Sequence, residues 1–190
     1  MKNNFNIKNN VIILTGGSGN LGSIYAEYLI SNGAKVCNFD LTSPQDINKF
    51  DEKNYLFLKT DVTDKENISD SLKLVLEKFG CPQGLINNAA LDSPPGDSDV
   101  INGPFEDYPE EAWDKVIDVN LKSIFLTCQI IGKEMADNSG GSIINISSHY
   151  GLISPDQRIY NYRKNFYKPI SYSASKSGIF NITRLSLIHI

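Results

Sequence analysis

Thr15-Gly16-Gly17-Ser18-Gly19-Asn20-Leu21-Gly22 is the stretch that decides the fold. It follows an apolar run, Val11 to Leu14, and opens a helical pattern. Each glycine removes a Cβ where the backbone must bend sharply or lie against a phosphate. The helix behind it offers unpaired N–H groups and a partial positive charge to an anion. Glycine costs backbone entropy, so a turn this rich in it points to a dinucleotide phosphate more than to a bare strand-to-helix turn. Gly16, Ser18, Gly19, Asn20, Leu21 and Gly22 are the candidate contacts.

Outward from the turn, short apolar runs alternate with helical patterns. Strands are expected at Val11 to Leu14, Lys35 to Phe39, Tyr55 to Leu58, Leu85 to Ile86 and Ser142 to Ile146, short and partly β-branched as in doubly covered sheets. Leu21, Ile24, Tyr25, Tyr28 and Leu29 are expected to form the stripe of the first helix, which Asn32-Gly33 stops. Ile68, Leu72, Val75, Leu76 and Phe79 form the next stripe, ending at Gly80. A longer helix is expected from about Pro109 to Met135, and a surface loop over Leu91 to Asp107. This alternation implies an α/β fold, a doubly wound parallel sheet. With 190 residues and 41% apolar content, the chain reads as one domain over residues 1–190.

Composition narrows the partners. The formal net charge is -4, which gives no footprint for nucleic acid. No apolar run is long enough to span a bilayer. Met1 to Asn10 is polar and lacks the apolar centre of a secretion signal, so a cytoplasmic protein is expected. Cys37, Cys81 and Cys128 are odd in number and far apart, which suits reduced, mostly buried thiols and no metal site.

Thr-Gly at the head of the glycine turn resembles the short-chain dehydrogenase/reductase family. The family's short branch spells this turn with a glycine where Asn20 stands, and the spacing of Gly16, Gly19 and Gly22 fits its long branch of sugar-nucleotide epimerases. Asn87-Asn88-Ala89-Ala90, after the fourth strand, resembles the Asn-Asn-Ala-Gly signature of the short branch. The resemblance implies a dinucleotide-binding Rossmann domain. Asp40, at the end of the second strand, can accept from both adenosine ribose hydroxyls and would repel a 2'-phosphate. No Arg or Lys stands in the turn or directly after Asp40, so NAD is expected over NADP. Asp61-Val62 resembles the family's adenine-contacting pair, although Asp61 or Asp64 could equally cap the next helix.

Further on, Ile146-Ser147-Ser148 ends a strand and Tyr172-Ser173-Ala174-Ser175-Lys176 follows. Tyr and Lys at i and i+4 share one helix face. A free phenol has a pKa near 10, too high for ready proton exchange at neutral pH. A fixed ammonium beside it favours the phenolate and suits it to general acid–base work. The resemblance implies Tyr172 as proton donor or acceptor, with Lys176 as its cationic partner and a holder of the nicotinamide ribose. It implies Ser148, ahead of Ser147, as the hydroxyl that orients substrate. Asn120, in Asp118-Val119-Asn120-Leu121, resembles the family's Asn that anchors a proton-relay water; its alternative is an ordinary exposed helix residue. His149 and His189 carry no assigned role.

The chain departs from the family twice. Gly151 to Ile170 is longer than usual, aromatic and basic, with Arg158, Arg163, Lys164 and Lys168. It could contact an anionic or sugar-like substrate, or be a surface excursion or subunit contact. The chain also ends before the family's last strands and lid. It is read as a C-terminally truncated member, with the sheet incomplete on that side. Its last six residues, Leu185 to Ile190, resemble translated adapter sequence and are read as non-native. The leading expectation is hydride transfer between NAD(H) and a carbonyl or secondary alcohol, including a sugar-related one, in a homo-oligomer when full-length. An NAD-retaining sugar-nucleotide epimerase or dehydratase, and a non-catalytic dinucleotide-binding protein, stay open.

Overall fold

A computed structural model describes residues 6–93, 101–138, 140–163 and 166–186. The first five residues, much of the expected Leu91–Asp107 loop, Lys164 and His189, with the rest of the proposed tail beyond Ser186, lie outside the described residues.

The chain divides into two compact units. The first is formed by 6–89 and 126–146 and holds the whole sheet. Its strands are β1 (Val11–Thr15), β2 (Lys35–Asp40), β3 (Tyr55–Lys59), β4 (Gly84–Asn87) and β5 (Ser142–Asn145). They run parallel in the order β3-β2-β1-β4-β5. The order reverses at β1, and such a switch point opens a crevice beyond the strand C-termini. Alternating side chains feed both faces. Val11, Ile13, Cys37, Phe39 and Leu85 join Ile68, Leu72 and Val75 of α2 (Lys65–Phe79) and Leu126, Ile131 and Met135 of α4 (Ser123–Asp137) in one core. Leu14, Val36 and Tyr55 meet Ala26 of α1 (Asn20–Ser31) on the other face.

The two first helices compare unequally with the sequence reading. In α2 the expected stripe faces the core, and Gly80 at φ 88° ends the helix. In α1 the stripe needs correction: Leu21, Ile24 and Tyr28 are exposed. The buried positions are Gly22 and Ala26, flanked by half-buried Tyr25, Leu29 and Ile30. A Cβ on Gly22 would lie 2.7 Å from Gly17 Cα, so the helix packs tightly against the turn through small residues. Close approach outranks hydrophobicity there.

The second unit comprises the described residues of 90–125 and 147–186 and is helical. The long helix expected from Pro109 is α3 (Glu110–Ile117), a π turn (Asp118–Lys122) and α4, which continues into the first unit. The Tyr172 motif lies in α5 (Ile170–Ser186), which packs on α3 and the π turn. Within the expected surface loop, Ile101 is buried and Phe105–Asp107 forms a turn of 3-10 helix. Cys37 and Cys128 are buried free thiols and Cys81 is half-buried. Burial pushes the Cys37 thiol up to about 12 and Cys128 to about 11. Among the described residues, no helix is long and apolar enough to cross a membrane.

Candidate active site

In the first unit, the glycine turn is held from three sides. Gly16 adopts φ +67°, and a Cβ there would lie 2.8 Å from Ala89 Cα. Asn38 Oδ1 accepts from the Gly17 N–H at 2.9 Å, and its amide donates to Ser18 Oγ at 3.0 Å and Tyr55 Oη at 2.8 Å. Thr15 Oγ1 accepts from the N–H groups of Asn88 and Ala89, both at 3.0 Å. Asn38 and Thr15 stand outside the expected cofactor contacts, Thr15 as the head of the turn and Asn38 as a strand residue. The signal was there for Asn38: an amide inside the apolar run Val36-Cys37-Asn38-Phe39 must find buried partners.

Beyond this frame, α1 opens with Gly19 as its N-cap, no side-chain cap bond and no acidic residue in its first turn. Its leading N–H groups therefore have no intrahelical partner. Gly19, Asn20 and Leu21 are exposed at this end, while Gly22 faces inward. This arrangement of donors fits a phosphate. The next helix is the opposite: Asp64 caps α2, accepting from Glu66 N–H at 2.8 Å and Asn67 N–H at 3.1 Å. Asp61 does not cap that helix; its Oδ1 accepts from Thr63 N–H and Oγ1 at 2.9 and 2.7 Å. Val62 beside it is buried.

Asp40 Oδ2 accepts from the Ser18 N–H at 3.0 Å, and Oδ1 accepts from Thr42 N–H at 3.0 Å and Thr42 Oγ1 at 3.2 Å. Its carboxylate thus fixes the turn and, with about four acceptor sites, keeps capacity for another donor. Asn87 is spent on the scaffold: its amide donates to Asn145 Oδ1 at 2.8 Å and its Oδ1 accepts from Thr127 Oγ1 at 2.8 Å, tying β4 to β5 and α4. Asn88 does the same toward β1, donating to Thr15 O at 3.0 Å and Gly16 O at 3.1 Å.

In the second unit, Ser148, Tyr172, Lys176 and Asn120 are gathered around α5. Lys176 is 3% exposed, and its Nζ lies 5.9 Å from the centre of the Tyr172 ring. Burial pushes the Lys176 ammonium down to about 8. Asn120 sits in the π turn, fully buried rather than exposed. Its Oδ1 accepts from Leu91 N–H at 2.7 Å, and its amide donates to Leu91 O at 2.8 Å and Ser175 Oγ at 3.1 Å. Ser175 Oγ in turn donates to Tyr172 O at 2.8 Å, so Asn120 braces the Tyr172 turn of α5. π turns recur at functional positions for this reason: they aim a side chain that a regular helix would misplace.

The two serines after β5 separate. Ser147 Oγ donates to Lys176 O at 2.9 Å. Ser148 Oγ accepts from Tyr150 N–H at 3.2 Å, which leaves its own proton for a ligand. His149 is exposed and packs on Tyr150 with centroids 4.2 Å apart.

The insertion is anchored by polar pairs. Gln157 bonds both backbone groups of Lys168, at 3.1 and 2.9 Å. The Lys168 ammonium pairs with Asp92 and stands 5.1 Å from the Tyr172 ring centre. Arg158 is turned onto Asp156, and Arg163 stacks on Phe166 at 4.7 Å.

Known proteins share this fold and sequence pattern. The chain is 32% identical over 183 residues to an NAD-dependent glycerol dehydrogenase of Listeria innocua, covering 95% of this chain and 65% of that protein. It is 28% identical over 181 residues to a sorbitol-6-phosphate 2-dehydrogenase of Klebsiella pneumoniae, covering 94% of this chain and 62% of that protein. The chain thus spans less than two thirds of the length of these relatives. A short chain dehydrogenase of Leptospira borgpetersenii with bound NAD+ superposes with a TM-score of 0.81 at 27% identity, over 95% of this chain and 65% of that one. Levodione reductase shares the fold, with a TM-score of 0.80 at 24% identity over 96% of this chain and 67% of that one. Residues 10–186 match the family model described as short chain dehydrogenase, and the chain belongs to that family.

Proposed function

We propose that the protein is an NAD-linked oxidoreductase that interconverts a secondary alcohol and a carbonyl. The observation that carries this is the buried Lys176 ammonium beside the Tyr172 ring, with Asn120 bracing the helix that holds both. Gly16, Ser18, Gly19, Asn20, Leu21 and Gly22 take the pyrophosphate at the open end of α1, Asp40 the adenosine ribose and Asp61 with Val62 the adenine. Asn87, Asn88 and Ala89 form the floor on which the dinucleotide lies. When bound, the nicotinamide supplies the hydride donor or acceptor.

The chain's own residues handle the proton. In the oxidative direction Ser148 donates a hydrogen bond to the substrate oxygen, and the Tyr172 phenolate takes the hydroxyl proton as the C–H bond gives up its hydride. In reduction the Tyr172 phenol returns that proton to the carbonyl oxygen. The Lys176 ammonium stabilises the phenolate and, with Tyr172, holds the nicotinamide ribose. Asn120 fixes the position of Tyr172. The glycerol and sorbitol-6-phosphate dehydrogenases among the relatives support an alcohol substrate.

Titrating NADH and NADPH separately, with nicotinamide fluorescence as the readout, tests the reading. NADH is expected to bind at least about tenfold tighter than NADPH, because a 2'-phosphate against Asp40 is a like-charge contact. Asp40→Ala should bring the two toward parity. A chain folded by circular dichroism that binds neither cofactor overturns the proposal.

A further inference from the structure

The insertion does more than cover the surface. With the segment before α3 it encloses a cavity of about 460 Å³, lined among others by Phe105, Tyr167, Glu106, Gln157, Lys168 and Ser173. That volume falls within the rough range of 300–1,000 Å³ for small-molecule sites. Ser173 brings a hydroxyl that is shielded from solvent and has no hydrogen-bond partner among the described residues. A buried polar group without a partner is costly, and a ligand oxygen would satisfy it.

Lys168 belongs both to this cavity and to the Tyr172 site. It lines the former, and its Nζ stands 5.1 Å from the Tyr172 ring centre. Its side chain is only 13% exposed, its backbone is clamped by Gln157 and its charge is balanced by Asp92. Among the described residues, the other charged group in the lining is the carboxylate Glu106. With an anion among the described lining residues and their one lysine already paired, that lining offers no net positive charge to a phosphate or carboxylate. It offers donors, acceptors and aromatic faces, the combination that suits hydroxyl groups on a carbon chain or ring.

We infer that this cavity holds the body of a neutral polyhydroxylated alcohol or sugar whose carbinol meets Tyr172, and that Lys168 and Ser173 select it. The carbinol's placement rests on the oxidoreductase reading; the binding itself does not.

Saturation-transfer NMR with sorbitol, xylitol and sorbitol 6-phosphate tests the inference on the same samples used for the NADH titration. Sorbitol and xylitol should bind saturably, and sorbitol 6-phosphate more weakly. Ser173→Val keeps the side-chain shape and should weaken sorbitol about threefold to tenfold, the loss of one hydrogen bond. Lys168→Met should weaken it by about tenfold or more, because bonds from charged donors are stronger. Lys168→Arg should restore most of that loss, and Ser173→Val should keep NADH affinity. The inference is overturned if sorbitol does not bind, if both truncating variants bind it like the wild type, or if the phosphate ester binds tighter. Intact polyol binding with no NADH binding would instead sink the oxidoreductase reading alone.

Discussion

After β1, a site is made by leaving side chains out; along α5, it is made by putting them in. The turn from Gly16 to Gly22 presents backbone at its glycines and is braced from behind by Asn38, Thr15 and Asp40. The Tyr172 region depends on functional groups set at fixed spacing, with Lys176 on the same helix and Asn120 bonded to Ser175. Such sites fail differently. A backbone site is spoiled by adding atoms, and a side-chain site by removing them. Substitutions of each kind can break or sharpen that contrast.

The largest effect belongs to Tyr172→Phe, which deletes one oxygen. Turnover of a secondary alcohol should fall by about 10²- to 10⁴-fold, the usual contribution of general acid–base catalysis. The fold and NADH affinity should hold to within a few-fold, as measured by circular dichroism and fluorescence. A variant that loses NADH binding in proportion to turnover would show that Tyr172 acts through its hold on the nicotinamide ribose and not through the proton.

Lys176 gives the next effect, with opposite signs for stability and activity. Its ammonium titrates near 8 in the folded chain, below the ordinary 10.5, because burial disfavours the charge. Between those values the unfolded chain holds more protons, so this group's contribution to stability rises with pH. Below about pH 8 both states are protonated and the folded state carries the full cost of the buried cation, on the order of 3 kcal/mol. Lys176→Met should therefore be more stable than wild type in denaturant at pH 7, with the gap closing toward pH 10.5, while turnover is lost. A variant that is less stable at pH 7 would mean that the ammonium supports the fold.

Much of this contrast was legible in the sequence. Strand positions followed from apolar runs bounded by turn residues, and each expected strand matches an observed one within two residues at either end. The YxxxK spacing alone places Tyr172 and Lys176 on one helix face. Three things were not legible. The outward turn of Leu21, Ile24 and Tyr28 depends on how closely α1 packs at Gly22, a tertiary property. The burial of Asn120 depends on its bonds to Leu91 and Ser175, which are remote in sequence. Whether Asp61 or Asp64 capped α2 was undecided because both precede the helix closely, and only the backbone geometry selects Asp64.

The smallest change tests the backbone site most directly, because the glycines of the turn do not all serve the same purpose. A Cβ on Gly22 would press on backbone at Gly17, so Gly22→Ala should destabilise the fold by about 1–3 kcal/mol whether or not a ligand binds there. Gly19 is different. Its φ of -76° is open to any residue, and the nearest atom to an added Cβ is Gly16 O at 3.4 Å, an ordinary contact. Gly19→Ala should change stability by less than about 1 kcal/mol. The added methyl would nonetheless stand at the exposed, uncapped start of α1, where the phosphate is proposed to lie. NADH affinity should then drop by about tenfold with Tm nearly unchanged, an energy of about 1.4 kcal/mol assigned to the ligand alone. If Gly19→Ala binds NADH as the wild type does, glycine at that position answers to the turn and not to a phosphate. The open end of α1 would then differ from the Asp64-capped end of α2 only in lacking a cap.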